Sequence, residues 1–483
     1  MQFFNNLQNR QKRSLLATLT IGTLAFGLMA CSSDDDDDSG TGYLQFYNAS
    51  VNSPAIYPTV TDDDENEDIL TGVEFADASA YYEYNIDDYA LSLSWQDDED
   101  SLNSFYDGTL SITDEHFTLV VLADELSAAN VYQYQIPIED PDSEDEVFNL
   151  RFINMNNFDG GVDIYQSKSD ETFNEAQMIV SQTKGEISDG VEYELDNYVF
   201  YLTAAGSDEV LYQSESIAFA YTSQYVFVVR ENTGAGSSPF TLDKLLNSST
   251  VTSYADEDAE AEIRVYNAIA VNAEGFANYS GSFNLHIDAV SEQPLVSDLA
   301  QGQFSDTQPL DFGDYAVTLT TPDNSTVLSN NHLLTLGSNT DKTAFFYLFE
   351  EITEDSDGNE ESEFYVNSLV VENSNRNSLY DHYVTAINLV DDYSLVDFYF
   401  VRSNETIDNA TYSLQNRYVT PLSISLLNNT YTIYAVATDN NSERILASEV
   451  LTLDENIADL FMILEEDESS ASGYKMTFNA QND

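Results

Sequence analysis

The chain has 483 residues, with 86 Asp and Glu against 15 Lys and Arg, so its formal net charge at neutral pH is −71. Such an excess of acid argues against nucleic acid or an anionic membrane face as a partner, because both are bound through Lys and Arg. Apolar residues make up 42% and aromatic residues 12% of the chain, which excludes a disordered protein and suffices for a core in each of several domains.

The first 30 residues have the pattern of a bacterial signal peptide. A basic head is followed by an apolar stretch that is shorter than the ~20 residues needed to span a bilayer. The four residues from Leu28 to Cys31 resemble the lipobox of bacterial lipoproteins, in which the cysteine thiol receives a diacylglycerol. Cys31 is also the only cysteine, so no intramolecular disulfide can form. We predict a lipoprotein signal peptide over 1–30 and lipidation of Cys31, with an ordinary signal peptide as the alternative.

Residues 31–42 have the composition of an acidic, flexible tether. Asp34 to Asp38 are adjacent carboxylates between Ser and Gly residues, a stretch with nothing to bury that stays solvated. The pattern resembles lipoprotein sorting in Gram-negative bacteria, where a serine such as Ser32 after the lipidated cysteine favours the outer membrane. We therefore predict an outer-membrane lipoprotein and leave open whether it faces the periplasm or the cell surface.

Four sequence signatures recur in the same order along the chain. The first is a strand with a late asparagine, at Asn48, Asn154, Asn267 and Asn388. A second strand follows it at 55–57, 162–165, 283–288 and 396–399. An alternating strand then opens on Tyr89, Tyr198, Tyr315 and Tyr431. A dense apolar strand comes last, at 117–122, 225–229, 345–349 and 460–464. This repetition predicts four tandem domains with the boundaries 43–142, 143–256, 257–376 and 377–483.

The segments between turns are short and rich in Tyr, Phe, Val and Thr, and they alternate with a period of two. That pattern predicts antiparallel strands in a sandwich or barrel. A repeat of about 100–120 residues has room for the seven or eight strands of an immunoglobulin-like β-sandwich. We therefore predict an all-β chain of four tandem immunoglobulin-like antiparallel β-sandwich domains after a signal peptide. Only Phe173–Ile179 and Leu242–Leu246 look briefly helical.

The openings of the repeats resemble a bacterial family, the domain of unknown function number 4397. Residues 48–56, Asn-Ala-Ser-Val-Asn-Ser-Pro-Ala-Ile, are similar to the opening of that family, and Arg264–Ala268 matches its start. Val162–Tyr165 and Val396–Tyr399 match its continuation, while Val51 stands where the family has its first proline. The resemblance implies a secreted or surface β-sandwich, often in tandem, without an established biochemical role. It brings no catalytic residues.

No catalytic constellation emerges from the sequence. The four histidines, His116, His286, His332 and His382, lack the spacing of a metal site, and no G-x-S-x-G elbow occurs. With 86 acids, carboxylate pairs arise by chance. We therefore predict a protein that is not an enzyme and needs no cofactor. The alternative is a hydrolase that acts on envelope or extracellular polymer through a carboxylate pair.

One acidic stretch resembles the first half of a calcium loop. Its oxygen donors alternate around Gly358 and are Asp355, Asp357, Asn359, Glu361 and Glu363. An EF-hand places its glycine at the sixth position, whereas Gly358 falls at the fourth. We prefer a solvated acidic hairpin tip, a feature that also occurs at 62–68, 97–100, 140–146 and 465–468, and we assign no metal ligands. Weak binding of divalent cations at domain junctions is the alternative.

Aromatic residues of the first repeat suggest a sugar-stacking platform or, as we prefer, core and scattered surface positions. They are Tyr81, Tyr82, Tyr84 and the single tryptophan, Trp95. The four tyrosines that open alternating strands are predicted to be architectural, in the manner of a tyrosine corner. The preferred function is a non-enzymatic cell-envelope lipoprotein that presents tandem domains for binding, adhesion or structural spacing. Its expected partners are the membrane, through lipid on Cys31, and envelope proteins or glycans.

Overall fold

The computed structural model describes residues 40–139, 146–270, 279–354, 360–439 and 442–482. These residues form 34 β-strands joined by turns and three short 3₁₀ turns. The prediction of an all-β chain of tandem antiparallel β-sandwich domains is confirmed. Within this part of the chain, no helix has the length and apolar composition needed to cross a membrane. The predicted signal peptide, Cys31 and the tether up to Ser39 lie outside the described residues.

The first repeat has eight strands in two sheets. They are β1 (Thr41–Ala49), β2 (Ile56–Thr61), β3 (Glu67–Ile69), β4 (Tyr82–Asn85), β5 (Asp87–Gln96), β6 (Leu102–Ile112), β7 (His116–Ala123) and β8 (Asn130–Pro137). The sheets have the orders β4-β1-β7-β8 and β3-β2-β5-β6. Phe46 from the first sheet and Leu93 from the second are buried in the core between them. Strand β1 begins at Thr41, within the range predicted as tether.

The second repeat follows the same plan and adds two short strands. Its strands are β9 (Val147–Asn154), β10 (Val162–Lys168), β11 (Gln177–Gln182), β12 (Val191–Glu194), β13 (Asn197–Ala204), β14 (Val210–Gln213), β15 (Ile217–Ala218), β16 (Gln224–Glu231), β17 (Phe240–Leu245) and β18 (Val251–Tyr254). The helical prediction for Leu242–Leu246 was wrong, because most of that segment is strand β17. Leu242 packs into the core of its own repeat and Leu245 against the first repeat, so burial on both faces removed the alternation that marks a strand.

The third and fourth repeats again have eight strands each. Those of the third are β19 (Ala261–Ala268), β20 (Ser282–Ile287), β21 (Val296–Ala300), β22 (Gln308–Leu310), β23 (Gly313–Thr320), β24 (Val327–Leu336), β25 (Asp341–Glu354) and β26 (Glu360–Glu372). Those of the fourth are β27 (Asp381–Asn388), β28 (Leu395–Val401), β29 (Tyr412–Arg417), β30 (Leu422–Leu427), β31 (Asn429–Asp439), β32 (Ser442–Leu453), β33 (Leu460–Glu466) and β34 (Tyr474–Ala480).

All four repeats share one strand order. The two added strands of repeat 2, β15 and β18, are left out of this numbering. The sheet that contains the first strand, here called the inner sheet, runs fourth-first-seventh-eighth, and the other, the outer sheet, runs third-second-fifth-sixth. The first and seventh strands pair in parallel, and the other described strand pairs are antiparallel. This order differs from the ABED and CFG sheets of an immunoglobulin constant domain. The sandwiches therefore have the size and two-layer form of that fold with a different connectivity.

The recurring asparagines and tyrosines have structural roles, as predicted for the tyrosines. Each tyrosine hydroxyl donates to the carbonyl four residues earlier, at 2.6–3.0 Å, which is the tyrosine-corner arrangement. Each asparagine is fully buried, and its side-chain carbonyl accepts the backbone N–H two residues later. These bonds fix the turn after the first strand and the start of the fifth strand in every repeat.

Repeats 1 and 2 pack side by side through their inner sheets, and repeats 3 and 4 do the same. Leu119 and Val121 from β7 meet Val226 and Val228 from β16 in one apolar cluster. In the second pair, Tyr266 and Phe345 from repeat 3 meet Phe461 and Ile463 from repeat 4. The dense apolar strands thus have two buried faces, one toward their own outer sheet and one toward the neighbouring repeat.

Strand β18 explains why the two pairs stack end to end. We call the end of a repeat at which its first strand begins the leading end. The eighth strand brings the chain back to this end, so repeat 2 starts beside repeat 1, and repeat 4 starts beside repeat 3. In repeat 2, β18 pairs antiparallel with β17 and carries the chain to the opposite, trailing end. Repeat 3 therefore begins at the trailing end of repeat 2, and repeat 4 meets the trailing end of repeat 1.

Basic residues are concentrated at these contacts. Twelve Lys and Arg follow the predicted signal peptide, and seven of them bond across or beside a contact between repeats: Arg151, Lys184, Arg230, Arg264, Arg376, Arg402 and Lys475. Arg230, for example, donates to Asp243 at 2.6 Å, and the hydroxyl of Tyr47 from repeat 1 donates to the same carboxylate at 2.5 Å. The few cations of this acidic chain thus join its repeats to one another.

Candidate functional site

The histidines do not form a catalytic site among the described residues. Each bonds within its own repeat, namely His116 to the Asp114 carbonyl, His286 to Thr320, His332 to Ser329 and His382 to Asn428. The Ser329–His332 pair, 2.8 Å apart, is the arrangement most like a nucleophile with its base. No carboxylate accepts from His332 in the described hydrogen bonds, and burial lowers the pKa of its imidazole. Cys31 lies outside the described residues, so the structure does not bear on its lipidation.

The predicted acidic hairpin tips at 62–68 and 97–100 are closed by their own carboxylates, whereas residues 140–145 of the tip at 140–146 lie outside the described residues. The Asn66 side chain donates to Asp62 and, together with nearby backbone N–H groups, lowers the pKa of that carboxyl. Asn103 and the Ser101 N–H do the same for Asp97. These carboxylates cap their turns, as expected for solvated loops. In the calcium-like stretch, residues 355–359 and the side chains up to 362 lie outside the described residues.

The aromatic residues of the first repeat contact other side chains of the protein. Trp95 stacks on Tyr380 of the fourth repeat, with ring centroids 3.8 Å apart and an interplanar angle of 11°. Tyr81 packs against Phe117 at 5.2 Å, and the Tyr84 hydroxyl donates to Asp68 at 2.6 Å. One face of the Trp95 ring is therefore covered by Tyr380. The preference for core and scattered surface positions agrees with these contacts.

A cleft at the trailing ends of repeats 3 and 4 brings acidic side chains together. Strands β27 and β33 pair in parallel, with Asn388 opposite Leu464, so the residues that follow them emerge at the same end of the sheet. Asp391 follows the first strand, and Glu466 ends the second. The cleft has a volume of about 600 Å³, and Leu348 and Phe364 from repeat 3 are among the residues that line it.

Three carboxylates crowd at this cleft. One oxygen from each of Asp391, Asp392 and Glu466 lies within 4.8 Å of the others. The pKa of the Asp391 carboxyl is raised by partial burial, the largest cause, and by the nearby charges of Asp392 and Glu350. The pKa of the Glu466 carboxyl is raised by burial, the largest cause, and by the nearby charges of Asp391 and Asp392. All three side chains are nevertheless exposed, so water screens much of their repulsion and the cost to the folded chain is small.

Among the described residues, the surroundings of the three carboxylates supply hydrogen-bond donors and no cation paired with them. The Tyr474 hydroxyl donates to Asp392 at 2.7 Å. The hydroxyl of Tyr418 is buried near Asp391 and Glu466 and has no hydrogen-bond partner in the described residues. Lys475 also lines the cleft, but it pairs with Glu465 at 3.1 Å. None of the ion pairs in the described part of the chain includes the three crowded acids, so the cleft can accommodate a positively charged ligand.

Sequence reasoning missed this cluster. Residues 465–468 were interpreted as a solvated hairpin tip, and Asp391-Asp392 was not singled out. The repeat pattern could have led to this cluster, because the first and the last signature strands occur together in every repeat. Had their parallel pairing been known, Asp391 and Glu466 would have been expected at one end of the sheet.

Replacing Asp391 by Asn is expected to raise the thermal unfolding temperature at neutral pH and low salt by roughly 2 °C, because it relieves like-charge repulsion. The raised carboxyl pKa values mean that the folded state binds protons more readily than the unfolded state. The penalty is therefore present at neutral pH and is lost as the pH falls toward the ordinary carboxyl range, so the wild-type and variant temperatures should converge there. Asp408→Asn, an exposed acid of the same repeat, is the control, and an equal rise in both variants would contradict the assignment.

Comparisons with known proteins do not assign the chain to a family. No family model and no curated protein matches it. Among solved structures, it is similar to the Bacillus anthracis TIE protein at 9% identity, with 88% of this chain and 68% of that chain covered and a TM-score of 0.15. It is similar to a leucine-rich repeat protein from Bacteroides thetaiotaomicron at 12% identity and a TM-score of 0.12, over 42% of this chain and 26% of that one. Scores this low support no conclusion about fold or function.

Proposed function

We propose that this chain is a non-enzymatic cell-envelope lipoprotein, held through lipid on Cys31, that presents its four repeats as one body for binding. We prefer binding to structural spacing because the four repeats contact one another in a closed circuit. Repeats 1 and 2, 2 and 3, 3 and 4, and 4 and 1 all touch. A spacer gains reach by extending its domains in line, whereas this circuit folds four domains back into two stacked pairs.

The cleft at the trailing ends of repeats 3 and 4 is the surface that we propose for a cationic ligand. It lies at the end of the body opposite to that where β1 begins, and its crowded carboxylates have no paired cation among the described residues. Oxygen donors in this number suit Ca²⁺ or Mg²⁺ with several retained waters. Partners of this chemistry also agree with the chain's net charge of −71.

Isothermal titration with Ca²⁺ and with Mg²⁺ tests the cleft. We expect weak heats at millimolar concentrations in the wild type and none in the double variant Asp391→Asn/Glu466→Gln, with Asp62→Asn as the control for an acidic turn. Equal heats in all three proteins would show that the cations do not use the cleft. The single variant Asp391→Asn, assayed on a panel of polysaccharides and peptides, addresses the hydrolase alternative, since turnover lost in that variant would favour an enzyme.

Replacing Cys31 by Ser is expected to move the protein from the membrane fraction to the soluble fraction, because a serine hydroxyl cannot accept the thioether-linked lipid. Cell fractionation and immunoblotting measure the distribution. Ser33→Ala, two residues away, is the matched control and should stay in the membrane fraction. If the Cys31 variant also stayed there, the proposed anchor would be wrong, whatever the outcome at the cleft.

A further inference from the structure

The four contacts between repeats differ in kind. The side-by-side contacts within each pair are wide apolar layers between two sheets. The contact between repeats 2 and 3 consists of the continuous chain and a small group of hydrogen bonds around Asn339. Asn339 and Asn232 exchange amide bonds at 2.9 and 3.1 Å, and the Gly236 N–H donates to the Asn339 side chain at 2.8 Å. The contact between repeats 1 and 4 joins parts of the chain that are about 300 residues apart in sequence, as the hydrogen bond from Arg376 to Glu74 illustrates.

The contact between repeats 1 and 4, here called the latch, is centred on Arg376, which lies in the segment between the last strand of repeat 3 and the first strand of repeat 4. Its guanidinium donates to Glu74 of repeat 1 at 2.9 Å and to Asp381 at 2.7 Å, and it lies 3.7 Å from Asp459. The same group covers the ring of Tyr383 at 4.0 Å. One cation thus holds carboxylates from both repeats together, and the Tyr383 hydroxyl also donates to Glu74.

An aromatic stack and a second ion pair, Arg402 with Asp100 at 3.9 Å, complete the latch. Trp95 at the trailing end of repeat 1 lies 3.8 Å from Tyr380. The Leu379 N–H donates to the Asn52 carbonyl at 3.2 Å. Leu379 and Tyr380 are only partly buried, and in the described part of the chain they are the apolar residues of repeat 4 that pack on the core of repeat 1. The latch is therefore a localised contact of ions, one stack and a few hydrogen bonds.

On the opposite side of the circuit, the chain between repeats 2 and 3 has the features of a hinge. Residues 255–260 are turn and irregular backbone, with Glu257 and Asp258 exposed and Ala259 buried. The Glu257 N–H donates to the Gln213 carbonyl at 2.7 Å, so the first part of this segment is held by repeat 2. A rotation here would separate repeat 4 from repeat 1 without breaking either apolar layer. Hinges of this kind are a few residues between elements that absorb the backbone rotation.

We propose that the contact between repeats 1 and 4 is a releasable latch, which lets the two pairs of repeats swing apart about residues 255–260 while every repeat stays folded. Opening would change the distance and direction between the first pair, which follows the predicted tether, and the cleft on the second pair. It would also uncover Trp95 and Tyr380.

The protein carries its own reporter of this motion, because Trp95 is the only tryptophan. In Arg376→Gln we expect the Trp95 emission to shift to the red and its acrylamide quenching constant to rise about twofold, since a locally opened contact exposes the ring. The radius of gyration from small-angle scattering should increase, and the far-UV circular dichroism should not change. Arg417→Gln, an exposed arginine of repeat 4, is the matched control and should resemble the wild type.

The wild type provides a second measurement that does not depend on how the variant folds. In a urea titration, the Trp95 emission should change at a lower concentration than the far-UV signal of the strands. Unchanged emission and radius in Arg376→Gln would overturn the latch. Coincident urea transitions in the wild type, or a loss of strand signal in the variant that parallels the emission change, would overturn release without unfolding.

Discussion

Replacing Asp243 by Asn is expected to lower the free energy of unfolding of the first two repeats by about 3–5 kcal/mol, because it leaves the Arg230 guanidinium buried without its carboxylate. Asp243 is fully buried and Arg230 is 7% exposed. The carboxylate also accepts the Tyr47 hydroxyl, whose pKa is raised well above its ordinary value by burial, so the phenol remains a neutral donor. Urea unfolding followed by far-UV circular dichroism measures the loss.

Two further proteins separate the ion pair from a general effect of substitution. Asp208→Asn changes an exposed acid of the same repeat and should cost little. The double variant Arg230→Met/Asp243→Leu removes both charges and should recover much of the stability lost in the single variant, because no unpaired charge remains buried. If Asp243→Asn were as stable as Asp208→Asn, the contact between repeats 1 and 2 would not depend on this pair.

Replacing Phe461 by Ala is expected to destabilise the second pair of repeats by about 3–5 kcal/mol, the usual cost of deleting a fully buried phenylalanine. Phe461 is 0% exposed although it points out of its own sandwich, because Phe345 of repeat 3 packs against it with ring centroids 5.3 Å apart. In an isolated repeat 4 this side chain would be at the surface. The free energy of unfolding lost in this variant, measured by urea unfolding, therefore reports how strongly repeats 3 and 4 pack together.

Phe312→Ala is the control for this variant, since Phe312 belongs to repeat 3 and is 49% exposed. We expect it to cost well under half as much as Phe461→Ala, because most of its surface is already in water. Equal costs for the two variants would contradict the side-by-side packing. Phe398→Ala, in the core between the two sheets of repeat 4, should be as costly as Phe461→Ala.

Much of the fold within each repeat could be predicted from the sequence. Alternation with a period of two is a local property of a half-buried strand, so β5 and its equivalents were found from their own residues. The recurring tyrosines were assigned correctly, because a tyrosine corner joins residues only four positions apart. The parallel pairing of β1 with β7 was not predicted, because it joins strands about 70 residues apart.

The candidate site could not be found in the same way. Asp391 and Glu466 are far apart in the sequence, and each lies in a stretch of acids that resembles many others in the chain. They meet because β27 and β33 run in parallel in one sheet. Trp95 was equally ambiguous, since its packing partner Tyr380 belongs to another repeat.

By itself, the sequence determined that this protein is all-β, fourfold repeated and acidic, because those properties follow from local patterns and composition. It also carries the basis for the predicted lipid anchor at Cys31. Only the tertiary structure decided how the repeats associate. The dense apolar strands, such as Phe117–Leu122, indicate burial on two faces. Because the hydrophobic effect is not directional, this pattern does not show which repeat packs against the second face. Which repeats pack together is decided by strand β18, which reverses the direction of the chain, and by the few basic side chains, which pair with acids of neighbouring repeats.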